Sequence, residues 1–354
     1  MTTITKKFFD KTFDGKDVYA YTLLDGEYSA VILDRGGIIQ SLFVPDKNGN
    51  KQDVVLGYDD MQGYEKNGGY LSALIGRFGN RINKGKFTLD GKEYQLYCND
   101  RSNHLHGGKV GFDKKIWDAE VFQAENGNER LRLSILSPDG EENYPGNLKV
   151  SVVYSLENGS LKIEYEAVSD QKTLINLTNH AYFNLDGSDD VLDQLMYMNA
   201  EYIASTDNEL IPHGELRKTS GTPFDFSAEK PIGAGDVCRA TDPDLKIGGG
   251  FDHCFIFPKN RSITEPYATV RSEKSGITMS CYTDMPAVQL YAGNGLNQYG
   301  KSGKKYGRCG GFCLETQAIP NNVNVPVYAE YGSSVYDAGE VYRFSATYTF
   351  TTKK

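Results

Sequence analysis

Apolar and polar residues alternate along much of this chain. Residues 161–168 alternate almost throughout, and the segment 149–156 just upstream leads into the pair Asn158-Gly159. A period of two places successive side chains on opposite faces of a strand, and Asn-Gly favours the tight turn of a hairpin. The two segments therefore predict an antiparallel hairpin.

Turn pairs of the same kind divide the rest of the chain into short segments. They are Asp14-Gly15, Asp25-Gly26, Asn48-Gly49, Asp90-Gly91, Asn126-Gly127, Asp139-Gly140 and Asp186-Gly187. Residues 87–96 predict a second hairpin, and residues 341–350 predict a strand that closes the fold. Helical periodicity is nearly absent: residues 58–66 are the best short helix, and residues 231–250 are expected to form an irregular surface excursion. The pattern predicts an all-β, mainly antiparallel fold with very little helix.

The organisation of the chain favours one domain. Its 354 residues could also form two or three domains on length alone. No stretch has the composition of a linker, and no repeat of fixed period indicates a propeller. Strands do not alternate with long helices, which argues against a Rossmann fold or a TIM barrel. We expect residues 1–354 to fold as a single β domain.

Charge and composition limit the possible binding partners and the possible cellular compartment. The formal net charge of −9 argues against a nucleic-acid or anionic-membrane surface, which needs an excess of positive charge. No apolar run approaches the roughly 18 residues of a membrane span. Residues 1–15 lack the apolar core of a signal peptide. The six cysteines are scattered without a CxxC pair, which is typical of reduced thiols. We expect a cytoplasmic protein.

Four short segments concentrate residues suited to chemistry. The first, residues 103–108, contains His104 and His106 followed by two glycines. Two histidines two positions apart on a strand would share one face and could suit a metal ion. The alternative is a polar turn without a ligand.

The second and third segments have the composition of a sugar site. Residues 176–185 crowd three asparagines together with His180 and Tyr182. Burying so many hydrogen-bonding groups is costly unless they have partners, which a polyhydroxylated ligand or the neighbouring strands could supply. In the third, a glycine run leads into Asp252 and His253 between phenylalanines. That arrangement suits a sugar, or simply a turn that enters a strand.

The fourth segment, residues 310–317, is mainly apolar and contains Glu315. A lone carboxyl group in a buried strand is costly unless it is paired or used. Burial would raise its pKa towards neutrality, as a general base requires. The alternative is a register in which Glu315 faces solvent. No phosphate-binding loop, nucleophile elbow or HExxH motif occurs, so we expect neither a metal ion nor a cofactor.

Taken together, these segments resemble the aldose 1-epimerase (galactose mutarotase) family. The landmarks are Gly36-Gly37 with Pro45-Asp46, Gly76-Arg77 with Asn80-Arg81, Leu105-His106-Gly107-Gly108, Pro145-Gly146, residues 178–184, Gly221 to Asp225, Phe251-Asp252-His253 and Leu314-Glu315-Thr316-Gln317. Eight motifs in the family's order are far more specific than any one of them. Gln194 and His213 depart from the residues found in many relatives, but neither lies on a catalytic motif.

The resemblance implies a large antiparallel β-sandwich with an open sugar-binding face. It implies an aldose 1-epimerase that interconverts the α and β anomers of free aldohexoses such as galactose and glucose. His180 would be the general acid and Glu315 the general base. The residues implied to contact the sugar are Asn80, Arg81, His106, Tyr182, Asp252 and Gln289, the last on the shortest match. The partner is then a small sugar, and the protein a monomer or a homodimer.

One acid and one base suffice for this reaction. The base takes the proton of the C1 hydroxyl while the acid protonates the ring oxygen; rotation about C1–C2 follows, and the groups exchange roles on reclosure. Free histidine titrates near 6.5 and free glutamate near 4.3, so we expect His180 protonated and Glu315 ionised in the resting enzyme. A nearby carboxylate such as Asp252 could raise the pKa of His180. We expect the two groups to converge on opposite sides of the bound ring.

Three other functions stay open at this stage. A non-catalytic sugar-binding module could use the same scaffold, although the presence of both His180 and Glu315 argues against it. A hexose-6-phosphate epimerase would need basic side chains at the rim of the pocket, for which Arg77 and Arg81 are candidates. A glycoside hydrolase would need two carboxylates across the bond, which Asp252 and Glu315 could supply.

Overall fold

The computed structural model describes residues 1–353 and is built mainly from antiparallel strands. Strands make up 45% of the structure and helices 11%. An average globular protein has roughly 20–25% strand and 30–35% helix. The predicted all-β class with very little helix is confirmed. No helix within residues 1–353 is long and apolar enough to cross a membrane.

The strands are short and follow one another closely. Those of the first half are β1 (Thr3–Lys11), β2 (Asp17–Asp25), β3 (Tyr28–Leu33), β4 (Ile39–Pro45), β5 (Lys51–Asp53), β6 (Leu74–Ile75), β7 (Arg81–Ile82), β8 (Lys86–Leu89), β9 (Lys92–Gln95), β10 (His104–Leu105), β11 (Asp118–Gln123), β12 (Glu129–Ser137), β13 (Leu148–Glu157), β14 (Ser160–Ser169), β15 (Thr173–Leu174), β16 (Thr178–Asn179) and β17 (Tyr182–Phe183). Those of the second half are β18 (Leu195–Met198), β19 (Tyr202–Thr206), β20 (Pro212–Lys218), β21 (Lys230–Pro231), β22 (Asp252–Ile256), β23 (Ala268–Arg271), β24 (Ile277–Thr283), β25 (Ala287–Tyr291), β26 (Gln298–Tyr299), β27 (Lys305–Tyr306), β28 (Phe312–Gln317), β29 (Val335–Tyr336) and β30 (Val341–Thr352).

The helical elements are short as well. The α-helices are α1 (Met61–Lys66), α2 (Ala234–Cys238) and α3 (Pro243–Gly248). Single 3₁₀ segments lie at Asn83–Gly85, Phe112–Lys114, Glu141–Asn143, Lys301–Gly303, Asn322–Asn324 and Pro326–Tyr331.

Three sheets hold most of the strands and enclose a common core. The largest has the order β11-β12-β13-β14-β30-β24-β23-β18-β21, the second β17-β28-β25-β22-β19-β20, and the third β1 to β5 in sequence. One apolar cluster contains Leu161 of the first sheet, Leu314 of the second and Ile32 of the third, all fully buried. The sheets therefore pack face to face around apolar side chains, as expected for a sandwich.

Local turn chemistry forms the predicted hairpins. Glu157 of β13 pairs with Ser160 of β14 across Asn158-Gly159. Both turn residues have positive φ, +52° and +73°, as a type I′ turn requires. The hairpin predicted over residues 87–96 forms from β8 and β9. The predicted closing strand is β30, which lies between β14 and β24.

The helices depart from the prediction in one region. α1 lies within the predicted residues 58–66, but residues 231–250 hold α2 and α3 instead of irregular chain. The side chain of Asp242 caps α3, Pro243 occupies its first turn, and Gly249 ends it at φ +67°. Helices of five or six residues show too little periodicity to be detected in a sequence window.

The second sheet has two different faces. Along β28, Phe312 and Leu314 belong to the main apolar core. Cys313 and Glu315 lie on the opposite face, because successive side chains of a strand alternate. The same alternation on β25 places Gln289 on the face of Glu315. This second face carries the candidate active site.

Candidate active site

The register of the second sheet brings distant residues side by side. Gln289 of β25 pairs with Glu315 of β28, and Asp252 of β22 pairs with Tyr291 of β25. Opposed side chains on one face lie roughly 5 Å apart at their Cβ atoms. The amide Nε2 of Gln289 donates a hydrogen bond of 2.7 Å to Asp252 Oδ1. Three of the predicted site residues thus form one contiguous surface.

His180 lies directly against Glu315. Its Nε2 is 3.7 Å from Glu315 Oε1, and the two residues are 5% and 2% exposed. The backbone of His180 donates to Ala73 and accepts from Ser72, and its ring stacks on Tyr182 with centroids 5.0 Å apart. The predicted acid and base therefore meet in a buried place. A gap of 3.7 Å leaves no room for a sugar ring between them, so the expected placement on opposite sides of the ring is wrong for this geometry.

A loop near β7 and β10 supplies three more of the predicted residues. His106 Nδ1 accepts a hydrogen bond of 3.1 Å from the backbone N–H of Asn80. The ring nitrogen left for another contact is Nε2. The rings of His106 and His180 are 5.2 Å apart. Arg81 Nε donates to Asp100 Oδ2 at 2.8 Å. Burial raises the pKa of Glu315, and the positive charge of Arg81 partly opposes this rise. This loop faces the His180–Glu315 pair.

His104 does not share the site with His106. Its Nδ1 lies 2.7 Å from the carbonyl oxygen of Tyr97, and its Nε2 lies 2.6 Å from the hydroxyl of Tyr144. β10 ends at Leu105, and His106 has a left-handed backbone with φ +50°. The two-residue alternation of a strand therefore does not extend to His106, and the shared face expected for the pair is wrong.

Burial controls the protonation of the pair. Desolvation lowers the pKa of His180 to about 4, against smaller opposing contributions from its own backbone carbonyl and from Asp252. Desolvation also raises the pKa of Glu315 well above its usual value; Asp252 adds to this, and Arg81 opposes it. Without a ligand at neutral pH, His180 is therefore neutral, and burial favours the protonated form of Glu315. Asp252 raises the pKa of His180 as expected, but the expected protonated His180 is wrong, because the effect of burial is larger than that of Asp252.

The sequence of the whole chain has known relatives. It matches the sequence model of the family described as "Aldose 1-epimerase" over residues 19–349. It is 41% identical to galactose mutarotase of Bos taurus over 331 residues, which is 92% of this chain and 93% of the relative. It is 34% identical to aldose 1-epimerase of Haemophilus influenzae, over 94% of this chain and 97% of that one. The chain belongs to the aldose 1-epimerase family.

Solved structures agree with this assignment. The crystal structure of galactose 1-epimerase from Lactobacillus acidophilus NCFM is similar to this fold with a TM-score of 0.86 and 28% identity, covering 100% of both chains. The structure of an aldose epimerase homologue from C. elegans gives a TM-score of 0.81 at 28% identity, again over 100% of both chains. As a member of the aldose 1-epimerase family, the chain is an isomerase that interconverts the α and β anomers of aldoses. The resemblance inferred from the eight motifs is confirmed.

Arg77 is a scaffold residue in this member of the family. It is buried and donates hydrogen bonds to Ser137 Oγ and to four backbone carbonyl groups: those of Ser137, Pro138, Pro145 and Gly146. Its guanidinium therefore has no role at a pocket rim, in contrast to the expectation for a phosphate-binding arginine.

Gln194 and His213, the two departures from the family pattern, also lie outside the site. Gln194 is buried and hydrogen-bonds to Asn184 and to the backbone of Leu185. His213 is an exposed residue of β20. His253 belongs to the opposite face of the second sheet, where its ring contacts Phe224 in the core.

Two aromatic residues of the site were not predicted. The ring of Tyr70 is 4.7 Å from that of His106 and stacks at 6.0 Å on that of His180. The ring of Tyr291 lies 6.4 Å from that of His180. Tyr70 follows the pair Gly68-Gly69, which is a weak signal by itself. The position of Tyr70 depends on how the loop that contains it packs against the second sheet.

Three side chains could together hold a metal ion. The potential ligand atoms of His106, His180 and Glu315 lie within 4.8 Å of one another. Two imidazoles and a carboxylate are a common set of zinc ligands. The same atoms are suited to proton transfer, so the donor set alone does not choose between the two uses.

Proposed function

We propose that His180 and Glu315 carry out the anomer interconversion by acid–base ring opening, with free aldohexoses such as galactose and glucose as substrates. The observation that carries this proposal is the 3.7 Å approach of His180 Nε2 to Glu315 Oε1 in a buried face of the sheet. The relative from Bos taurus, a galactose mutarotase, supports the choice of sugar.

The spacing of the pair fits the substrate's geometry. The C1 hydroxyl oxygen and the ring oxygen are both bonded to C1, so the proton removed and the proton added are close together. An acid and a base at one edge of the ring can therefore serve both oxygens. Glu315 takes the proton of the C1 hydroxyl and His180 protonates the ring oxygen; on reclosure each group does the reverse.

The protonation states of the pair fit this exchange. A charged pair (imidazolium and carboxylate) and a neutral pair (imidazole and carboxylic acid) hold the same number of protons. Ring opening converts the charged pair into the neutral one, because His180 gives up a proton and Glu315 gains one. Burial favours the neutral pair, and this stabilises the open-chain stage. The charge of Asp252 favours the protonated form of both groups, and hydroxyl groups of a bound sugar that donate to Glu315 favour its carboxylate.

The six residues implied by the family are proposed to bind the sugar: Asn80, Arg81, His106, Tyr182, Asp252 and Gln289. Gln289 illustrates why. Its Nε2 is held by Asp252, while its buried Oε1 has no hydrogen-bond partner among residues 1–353. Glu315 Oε2 is unpartnered in the same way. Buried acceptors without partners are costly, and sugar hydroxyl groups would supply the missing donors.

Replacing Asp252 with alanine is expected to raise KM about tenfold or more and to lower kcat. The substitution frees Gln289, removes an acceptor for sugar hydroxyl groups and removes the charge that favours protonated His180. Loss of a hydrogen bond to a charged group typically costs about 1.5–3 kcal/mol, equivalent to roughly ten- to a hundredfold. Initial-rate kinetics of anomer equilibration measure both constants. An unchanged KM would remove Asp252 from the binding site.

The function is tested by following anomer equilibration of freshly dissolved α-galactose and α-glucose by polarimetry, after subtracting the uncatalysed rate. Galactose 6-phosphate, glucose 6-phosphate and an aryl glycoside serve as comparison substrates. We expect fast equilibration of the free sugars and no hydrolysis. Preference for the phosphorylated sugars would favour a hexose-6-phosphate epimerase. The structure argues against that function, because the two candidate phosphate ligands are already paired: Arg77 with backbone carbonyl groups and Arg81 with Asp100. Release of the aryl group would indicate a glycoside hydrolase.

Activity is expected to survive exhaustive chelation. The proposed reaction needs only proton transfers, which His180 and Glu315 can provide without a metal ion. The rate is measured before and after EDTA treatment and dialysis, and then after addition of zinc. A loss of activity that zinc restores would assign His106, His180 and Glu315 to a metal site instead.

We also propose that the chain forms a single cytoplasmic domain and is a monomer or a homodimer. All six cysteines are free, which suits a reducing compartment, and one apolar cluster joins the three large sheets. Light scattering after gel filtration gives the mass. A stable fragment after limited proteolysis would argue for more than one domain.

A further inference from the structure

One strand contacts both nitrogens of the His180 ring. Cys313 and Glu315 are two residues apart on β28 and share a face. The Sγ of Cys313 lies 3.4 Å from His180 Nδ1, and Glu315 Oε1 lies 3.7 Å from Nε2. All three residues are buried. The imidazole is thus held between a thiol and a carboxyl group from the same strand.

We propose that Cys313 is a positioning residue for the reaction: its sulfur accepts a hydrogen bond from Nδ1–H of His180 and thereby keeps Nε2 directed at Glu315 and the sugar. This inference rests on the proposed role of His180. It concerns which nitrogen carries the proton in the neutral ring. The position of His180 alone does not determine this.

The choice matters on reclosure of the sugar. After His180 has protonated the ring oxygen from Nε2, the neutral imidazole retains its other proton on Nδ1. Nε2 then has a lone pair and can take the proton of the C5 hydroxyl group as the ring closes. If the neutral ring instead carried its proton on Nε2, His180 would have no lone pair to take the proton of the C5 hydroxyl group. A hydrogen-bond acceptor at Nδ1 keeps the ring in the productive form.

A thiol suits this position because it is a weak and neutral acceptor. Burial raises the pKa of Cys313 well above its usual value, so the side chain stays a thiol. A carboxylate at Nδ1 would strongly stabilise the imidazolium and would oppose proton release to the ring oxygen. A neutral sulfur orients the ring with little effect on its charge.

Other contacts of His180 do not distinguish its two nitrogens. Tyr182 stacks on the ring and therefore restricts its plane. The backbone carbonyl of His180 raises the pKa of the ring, but this effect does not assign the proton to either nitrogen. The proposal therefore predicts that removing the sulfur changes the fraction of the two neutral forms.

The test compares Cys313→Ala, Cys313→Ser and the control Cys281→Ala. Cys281 is buried in β24 of the first sheet, so its substitution matches the loss of volume without touching His180. Nitrogen-15 spectra of enzyme labelled at histidine report which ring nitrogen is protonated. The chain has five histidines, and His180→Asn identifies the signal that belongs to this residue.

In Cys313→Ala we expect a larger fraction of the Nε2–H form. We also expect kcat to fall about three- to tenfold, which is roughly the effect of losing a weak hydrogen bond. KM should change less than kcat. Cys313→Ser, whose hydroxyl can accept the same bond, is expected to recover most of the loss. Cys281→Ala should keep the wild-type kcat and spectrum.

Unchanged spectra and kcat in Cys313→Ala would overturn the inference, because the sulfur would then have no part in placing the proton of the ring. Equal loss of kcat in Cys313→Ala and Cys313→Ser with unaltered spectra would also overturn it, because packing alone would explain the loss. Failure of the proposed function is a different result: His180→Asn would then keep its activity, whereas failure of this inference leaves His180→Asn inactive.

Discussion

Glu315→Gln is expected to lower kcat by about 10²- to 10⁴-fold, the usual contribution of a general base. Glutamine keeps the shape of the side chain and its fit between Gln289 and His180, but it cannot take the proton of the C1 hydroxyl. The rate is measured by polarimetry at saturating galactose and glucose, and the uncatalysed rate is subtracted because sugars mutarotate in water unaided.

The same substitution should leave the fold intact. Burial raises the pKa of Glu315, which means that its charged form destabilises the folded state once the pH exceeds the pKa of the unfolded chain. Replacing it with a neutral amide removes this cost, so the melting temperature at neutral pH is expected to stay the same or rise.

Glu166→Gln, at an exposed position of β14 that pairs with Arg343, is the control for the chemical change. Near-wild-type kcat in a folded Glu315→Gln variant would transfer the role of base to another carboxylate, with Asp252 the next candidate.

His180→Asn is expected to cause a loss of similar size, about 10²- to 10⁴-fold in kcat. Asparagine can hydrogen-bond but cannot exchange a proton with the ring oxygen. Because His180 and Glu315 are in contact and exchange one proton during the reaction, the double variant should be little slower than either single variant. The substitution His213→Asn, at an exposed residue of β20, is the control. Losses that multiply in the double variant would show that the two groups act independently.

Much of the fold follows from local chemistry that a sequence displays directly. All the predicted Asn-Gly and Asp-Gly turns have their glycine at positive φ; Gly159 at +73° and Gly91 at +80° are examples. The conformation depends on the turn residues themselves and on the alternation beside them. The sequence did not predict α2 and α3, because helices of five and six residues are too short to show a helical period.

The residue types of the site were also visible in the sequence. A carboxyl group in the apolar run of β28 and a histidine among asparagines were unusual enough to single out Glu315 and His180. Arg77 shows the limit of such reasoning. Its position beside a family motif was compatible with a ligand contact, yet its hydrogen bonds go to a serine hydroxyl and backbone carbonyl groups 60 to 69 residues away. No local pattern predicts those partners.

The sequence by itself determined the two predicted hairpins, the closing strand, the turns, the family and the chemical groups, because each depends on neighbouring residues or on an ordered set of motifs. Only the tertiary structure decided that His180 and Glu315 are 3.7 Å apart, that Cys313 contacts the remaining ring nitrogen and that burial favours the neutral form of both groups. The physical reason is that the distances between these side chains, and their desolvation, depend on contacts between segments that are 133 or more residues apart in the sequence. A protonation state is therefore a property of the packed site and not of the residue alone.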